Sequence, residues 1–371
     1  MNKFMDRYYK RKTIHLKCLV VTPMFLGNAD QDAEWRAAQF KALLRYWWRV
    51  AHAGLFGRAK STCGDLLQRE SELFGCAGDS DESEAGKSLV GVEVVGKANA
   101  SDKPLTYAGL APIHHPEMEL GKQNIRPLLY LANMGLMSPG GQVKHSYFPD
   151  SSTFRLTLDF PPERESQITA ALALIQAFGA IGGRCRNGWG SFQVQEGGLP
   201  ADQALGLLNQ STDNDWKAGF EKDYPNCLGK DQKGPLLWKI NEAKPTWAEA
   251  MRELADAYIG VRARNLDDGM PKLDPDGPDY PSERHLLGFP LTRHEARKER
   301  NWGNQGRHAS PLRFVVHRAP NGYRGFVLHL PFRHSDEMPL PFGVKRQIEV
   351  WETVHRKLDH LLERAAYKDC L

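Results

Sequence analysis

Five glycines fall within residues 179–190, in the run Gly179-Ala-Ile-Gly-Gly-Arg-Cys-Arg-Asn-Gly-Trp-Gly190. Glycine frees the backbone for positive φ and for close approach to a ligand. Arg184 and Arg186 sit between Gly182-Gly183 and Gly188, and Trp189 follows. Exposed amides and guanidinium forks suit phosphate oxygens. An indole suits a stacked base, worth ~1–3 kcal/mol. The chemistry expected here is grip on a phosphate backbone, with Trp189 as the stacker. The plainer alternative is a tight turn that carries exposed arginines and packs its own tryptophan. The glycines follow a helix rather than open one, so the run is not a dinucleotide fingerprint.

A second set of cations, Lys41, Arg45 and Arg49, is spaced i, i+4, i+8. On a helix these line up as a stripe, either an anion contact or a solvated face. His15 and His52 are the candidate bases for metal-free RNA cleavage, which needs a base on the 2′-hydroxyl and a cation on the phosphorane. His52 reads equally as a residue at a helix C-terminus facing the dipole. Asp30 reads as a helix cap before a catalytic carboxylate. Gly86-Lys87-Ser88 is no P-loop, because that pattern needs glycine where Asp81 stands. The His114-His115 pair lacks a third ligand at metal spacing, and Cys63 and Cys76 are too far apart for a zinc pair. Neither a metal nor a cofactor is expected.

These residues need elements to hold them. Thr13–Val21 alternates as a half-buried strand. Ala33 to about Ala53 has helical spacing, with Phe40, Leu43, Leu44, Trp47 and Ala51 on the buried face. Neighbours on a helix cannot both face the core centrally, so one of Trp47 and Trp48 is expected at a margin or interface. Strands are predicted at Leu89–Val95, Arg126–Leu131 and Phe154–Phe160, with residues 133–152 as a mobile Gly/Pro/Ser-rich loop. A helix over Glu163–Phe178, the glycine loop and a strand over Ser191–Val194 complete a βαββαβ pattern. Residues 195–235 read as a boundary. The second half repeats the grammar: a strand at Leu236–Ile240, a helix from Thr246 to about Gly260 capped by Thr246, a hairpin across Pro320-Asn321-Gly322, and a helix over Val344–Leu362. The expected fold is α+β: two tandem ferredoxin-like (RRM-like) domains with long loop insertions, residues 1–200 and 201–371.

Composition limits the alternatives. The 371 residues are 41% hydrophobic and 25% charged, which excludes a wholly disordered chain, a collagen and a coiled coil. No apolar run approaches the ~18 residues of a membrane span, and no signal-peptide core is visible. Six cysteines without a CxxC pair read as reduced thiols, and hence a cytoplasmic protein. Residues 1–60 hold twelve Lys/Arg against four Asp/Glu, residues 61–120 four against eleven, and residues 284–333 ten against two. Two basic blocks separated by an acidic one imply two local anion-binding surfaces on a protein of net charge +4.

Several motifs together resemble the RAMP superfamily. They are Thr22-Pro-Met-Phe-Leu-Gly27, the run from Arg36 through Lys41, Arg45 and Trp47-Trp48-Arg49, Leu73-Phe-Gly75, and Phe178 through Gly190. With Tyr107-Ala-Gly-Leu110, Leu287-Gly-Phe-Pro290, Arg307-His-Ala-Ser-Pro-Leu-Arg313 and Leu330-Pro331, the set looks most like the first-subunit family of the Cmr complex, the type III-B CRISPR effector. That resemblance implies a non-catalytic RNA-binding subunit near the crRNA 3′ end. It implies help in capturing target single-stranded RNA for antiviral defence, with the other Cmr subunits as partners. It makes Lys41, Arg45, Arg49, Arg184 and Arg186 candidate RNA contacts, beside Gly182, Gly183, Gly188 and Trp189. The competing reading is a metal-independent RAMP endoribonuclease that processes guide precursor. The acidic stretches 76–84 and 265–283 fall outside the family pattern and could face partners. Residues 293–300 are a second RNA surface or a solvated loop.

Overall fold

The computed structural model describes residues 10–56, 63–76, 86–97, 100–105, 110–118, 121–138, 141–213, 215–220, 226–266, 270, 272–273, 283–288, 309–333 and 342–371. Most of 76–84 and 265–283, and all of 289–308, lie outside them, so the expectations for those stretches do too.

Two antiparallel four-stranded sheets organise the chain. The first contains β1 (Lys12–Val20), β2 (Gly91–Gly96), β3 (Thr153–Phe160) and β4 (Phe192–Glu196), in the order β2-β3-β1-β4. Alternation decides which face is buried. Leu16, Cys18 and Val20 point inward with Phe154, Leu156 and Leu158, while His15 and Lys17 point out. Helices α1 (Ala37–Phe56), α2 (Cys63–Phe74), α4 (Glu165–Phe178) and α5 (Ala201–Gln210) accompany this sheet, whereas α3 (Pro127–Leu136) packs into the core of the second sheet. The second sheet contains β5 (Leu237–Lys239), β6 (Leu312–Ala319), β7 (Gly322–His329) and β8 (Glu363–Arg364), in the order β6-β7-β5-β8. Its helices are α6 (Trp247–Ala263) and α7 (Val344–Leu361). Both sheets therefore follow the same order by chain position. Thr246 starts α6 as expected, in a capping box with Glu249.

Four expectations need correction. Arg126–Leu131 is not a strand: Pro127 occupies the first helical turn, where its missing N–H costs nothing, and α3 follows. The predicted loop 133–152 begins inside that helix, and it buries Tyr147 and Phe148, the latter bridged to Met24. Trp47 and Trp48 are both buried. Trp48 meets Phe74 of α2, and Trp47 meets Phe178 of α4, so α1 is covered on more than one side. The stretch expected as a boundary contains α5, which packs on α4.

The two sheets meet along an edge. β6 is an outer strand, and its free side is taken by the glycine loop and β4. The Phe314 amide donates to the Arg186 carbonyl at 2.8 Å. The Val316 amide donates to Ser191 Oγ at 3.1 Å, and the Arg318 amide to Gln193 Oε1 at 2.9 Å. An otherwise open strand edge is thereby closed within the chain.

Candidate nucleic-acid interface

The glycine loop is folded back on the segment after β1. The Gly183 amide donates to the Phe25 carbonyl at 2.8 Å, and the Gly190 amide to the Pro23 carbonyl at 3.0 Å. The Gly188 carbonyl accepts the Thr22 and Ser191 hydroxyls. Glycine is required at two points in particular. Gly182 (φ +96°) would place a Cβ 2.4 Å from the Phe25 carbonyl oxygen, and Gly190 (φ +66°) would place one 1.9 Å from that of Ile181. The amides of Gly183 and Gly190 hold the loop together and do not point at a ligand.

The loop's side chains divide. Arg184 is itself left-handed, at φ +56°. Its guanidinium lines a cleft of about 520 Å³ with Phe25, Gly27, Gln39, Gly135 and His145. Among the described residues it has no hydrogen-bond or ion-pair partner. Burial lowers its pKa from the ordinary arginine value, with the Tyr258 phenol the next influence, in the opposite sense. Arg186 turns the other way. Its Nη1 donates to the Ser310 carbonyl at 2.8 Å, and its guanidinium lies 5.6 Å from the centre of the Tyr46 ring. Trp189 is fully buried, edge-on to Phe25 and Trp247. It offers no face to a base, so the stacking expectation fails and the packing alternative holds.

The basic stripe of α1 is mostly engaged. Arg45 Nε and Arg49 Nη1 both donate to Glu70 Oε1, each at 2.7 Å. Glu70 sits on α2 with only 2% of its side chain exposed. These two arginines tie α2 to α1 through one nitrogen each, with 37% and 34% of their side chains exposed. Lys41 has no ion-pair partner among the described residues, and burial, then Arg45, lower its pKa. It remains beside Ala42, which lines the cleft.

Neither candidate base lies on the cleft. His52 is buried, stacked on Trp48 at 4.4 Å, with Nδ1 2.8 Å from the Trp48 carbonyl oxygen. Burial lowers its pKa from the ordinary histidine value. His15 is exposed on the outer sheet face beside Thr157. The histidine that does line the cleft is His145, which the sequence hid inside a segment read as loop. Asp30 is exposed, and Asn28 Oδ1, not an aspartate, caps that turn by accepting the amides of Asp30 and Asp32. Among the described residues no trio of His, Cys, Asp or Glu could hold a metal ion, and no helix is long and apolar enough to cross a membrane.

Comparison with known proteins locates this architecture. Residues 17–193 match the model of the RAMP superfamily. The chain is 26% identical over 292 residues to the CRISPR system Cmr subunit Cmr1-1 of Pyrococcus furiosus, covering 76% of each chain. Its structure is similar to the apo crystal structure of Cmr1 from the same organism, with a TM-score of 0.49, 15% identity, and 95% and 97% of the two chains covered. It is also similar to a chain in a cryo-EM structure of the type III-B Cmr-beta complex bound to cognate target RNA, with a TM-score of 0.44, 12% identity, and 94% and 100% covered. The residues that build the glycine loop and its cleft thus match the RAMP-superfamily model, in a chain that resembles Cmr subunit Cmr1-1 over most of its length.

Proposed function

We propose that this chain is a non-catalytic, cytoplasmic RNA-binding subunit of a type III-B CRISPR Cmr effector, near the crRNA 3′ end, where it helps capture target RNA. In this reading its two sheets are tandem ferredoxin-like domains divided near residue 200. The shared strand order supports that division, and the likeness to a Cmr subunit supports the assembly. One observation carries the RNA grip: Arg184 presents an unpaired guanidinium to a cleft between the glycine loop and the loop after β1. Such a fork matches two oxygens of a phosphodiester. Lys41 and Arg186 extend the cationic track. Sequence recognition comes from base pairing with the guide, not from these side chains.

The test is binding of labelled single-stranded RNA across a salt series, with and without magnesium. Three phosphate contacts give a slope of roughly −2 in log K against log salt, at about −0.7 per phosphate. Arg184→Glu should lower affinity at least tenfold with the fold intact. Salt-independent binding, or full affinity in that variant, would sink the reading. The endoribonuclease alternative now rests on His145, the only histidine lining the cleft among the described residues. Metal-free cleavage that disappears in His145→Ala would replace the non-catalytic reading.

A further inference from the structure

Arg313 lies on β6, next to Phe314, whose amide binds the glycine loop. The residue is 5% exposed, and its guanidinium reaches across to the first unit, 4.8 Å from the Tyr46 ring centre and 4.9 Å from that of Trp47. Arg186 approaches the same Tyr46 ring at 5.6 Å. Two cations from different units thus fall within the ~6 Å cation–π range of one phenol. Neither has a carboxylate partner among the described residues.

Other buried arginines of this molecule have a partner for their donors: Arg262, over the Tyr258 ring, bonds the Tyr130 and Tyr258 hydroxyls. Arg284, as buried as Arg313, makes a bidentate pair with Glu117, both contacts at 2.6 Å. Arg364 lies over the Trp238 ring, like Arg313 over its own aromatics, yet it pairs with Asp359 and Asp231. Arg45 lies over Phe74 and pairs with Glu70. A ring face attracts a cation but does not accept the five N–H donors of a guanidinium as oxygens do. Arg313 therefore keeps its donors unmade, and burial without a counter-charge is costly. Its nitrogens are not among the fully enclosed polar atoms left without a partner, so the guanidinium keeps a narrow opening at the seam.

We propose that Arg186 and Arg313 form a phosphate site at the seam between the two units, occupied by a backbone phosphate of the bound RNA. The site rests on the RNA-binding reading and extends it. Arg184 and Arg186, two residues apart, are turned to opposite sides, one to the cleft and one to the seam. The RNA backbone passes from one to the other across the loop. A free phosphate offers the same oxygens, and the arms of the experiment separate the two sources.

Arg313→Met keeps the stem packing and removes charge and donors. Binding of single-stranded RNA across a salt series is measured for both proteins, with thermal unfolding at rising inorganic phosphate. The expected result is a folded variant with about tenfold weaker RNA binding and a salt slope shallower by about 0.7. Inorganic phosphate should raise the melting temperature of the parent and not of the variant. A folded variant with parental affinity and slope overturns the site while leaving the RNA reading in place. A parent that ignores RNA but is stabilised by phosphate through Arg313 overturns both the RNA occupant and the RNA reading. Should Arg313→Met fail to fold, Arg186→Met carries the same measurement from the loop side, with the same expected and overturning results.

Discussion

The basic stripe of α1 and the glycine loop belong to the same unit, and each offers arginines at regular spacing. On α1, Arg45 and Arg49 converge on one buried carboxylate oxygen of Glu70. In the loop, Arg184 has no carboxylate and occupies a left-handed backbone. That conformation costs a non-glycine residue about 1–2 kcal/mol. The first arrangement returns its cations to the fold as a clamp between helices. The second holds a cation at some cost, with no counter-charge for it among the described residues. A buried counter-charge, not the density of Lys and Arg, separates structural cations from those left for a ligand.

The comparison can be broken most forcefully at the clamp. Arg45→Met with Arg49→Met strands Glu70 without a counter-charge. Unfolding in denaturant should show a loss of about 3 kcal/mol, the low end for a broken buried pair, because both arginines keep about a third of their side chains in solvent. A loss under 1 kcal/mol would mean that Glu70 is no clamp. Gly190→Ala drives a Cβ into the Ile181 carbonyl at a positive φ, and a destabilisation of about 2–3 kcal/mol is expected. RNA binding should fall with it, since the loop walls the cleft.

Arg184→Met should do the reverse of the clamp variant. RNA affinity falls about tenfold, or ~1.4 kcal/mol, while the unfolding midpoint moves by less than ~0.5 kcal/mol. A large stability loss here would place Arg184 with the clamp arginines. Arg184→Gly sharpens the contrast at the smallest scale. Relief of the left-handed backbone should raise stability by about 0.5–1 kcal/mol, while RNA binding drops as far as in Arg184→Met. If unfolding becomes easier instead, the side chain supports the loop through packing.

Local chemistry made the regular elements legible. The alternation of β1 and β3, the Thr246–Glu249 capping box and the hairpin across Asn321-Gly322 are all written within a few residues. What escaped depends on distant partners. Nothing near Arg45 announces Glu70, 25 residues away on another helix. Trp189 looks like an exposed stacker until Phe25 and Trp247, from the two halves of the chain, enclose it. Pro127 falls inside the expected strand Arg126–Leu131, yet it opens a helix. His145 reached the cleft only because Phe148 anchors its segment against Met24. The arginine at 184 was visible as a candidate; its lack of a counter-charge was not.

The backbone of the glycine loop also closes the outer edge of β6, through the Arg186 carbonyl and the Phe314 amide. The loop therefore draws part of its order from the second unit. Folding of the C-terminal half and occupancy of the cleft are linked equilibria: any RNA that binds only the ordered loop stabilises the second sheet by mass action. Amide exchange along β6, far from the Arg184 guanidinium in sequence, should slow when RNA is bound. A chain whose C-terminal half has not yet folded would hold RNA poorly, so the grip doubles as a checkpoint on complete folding.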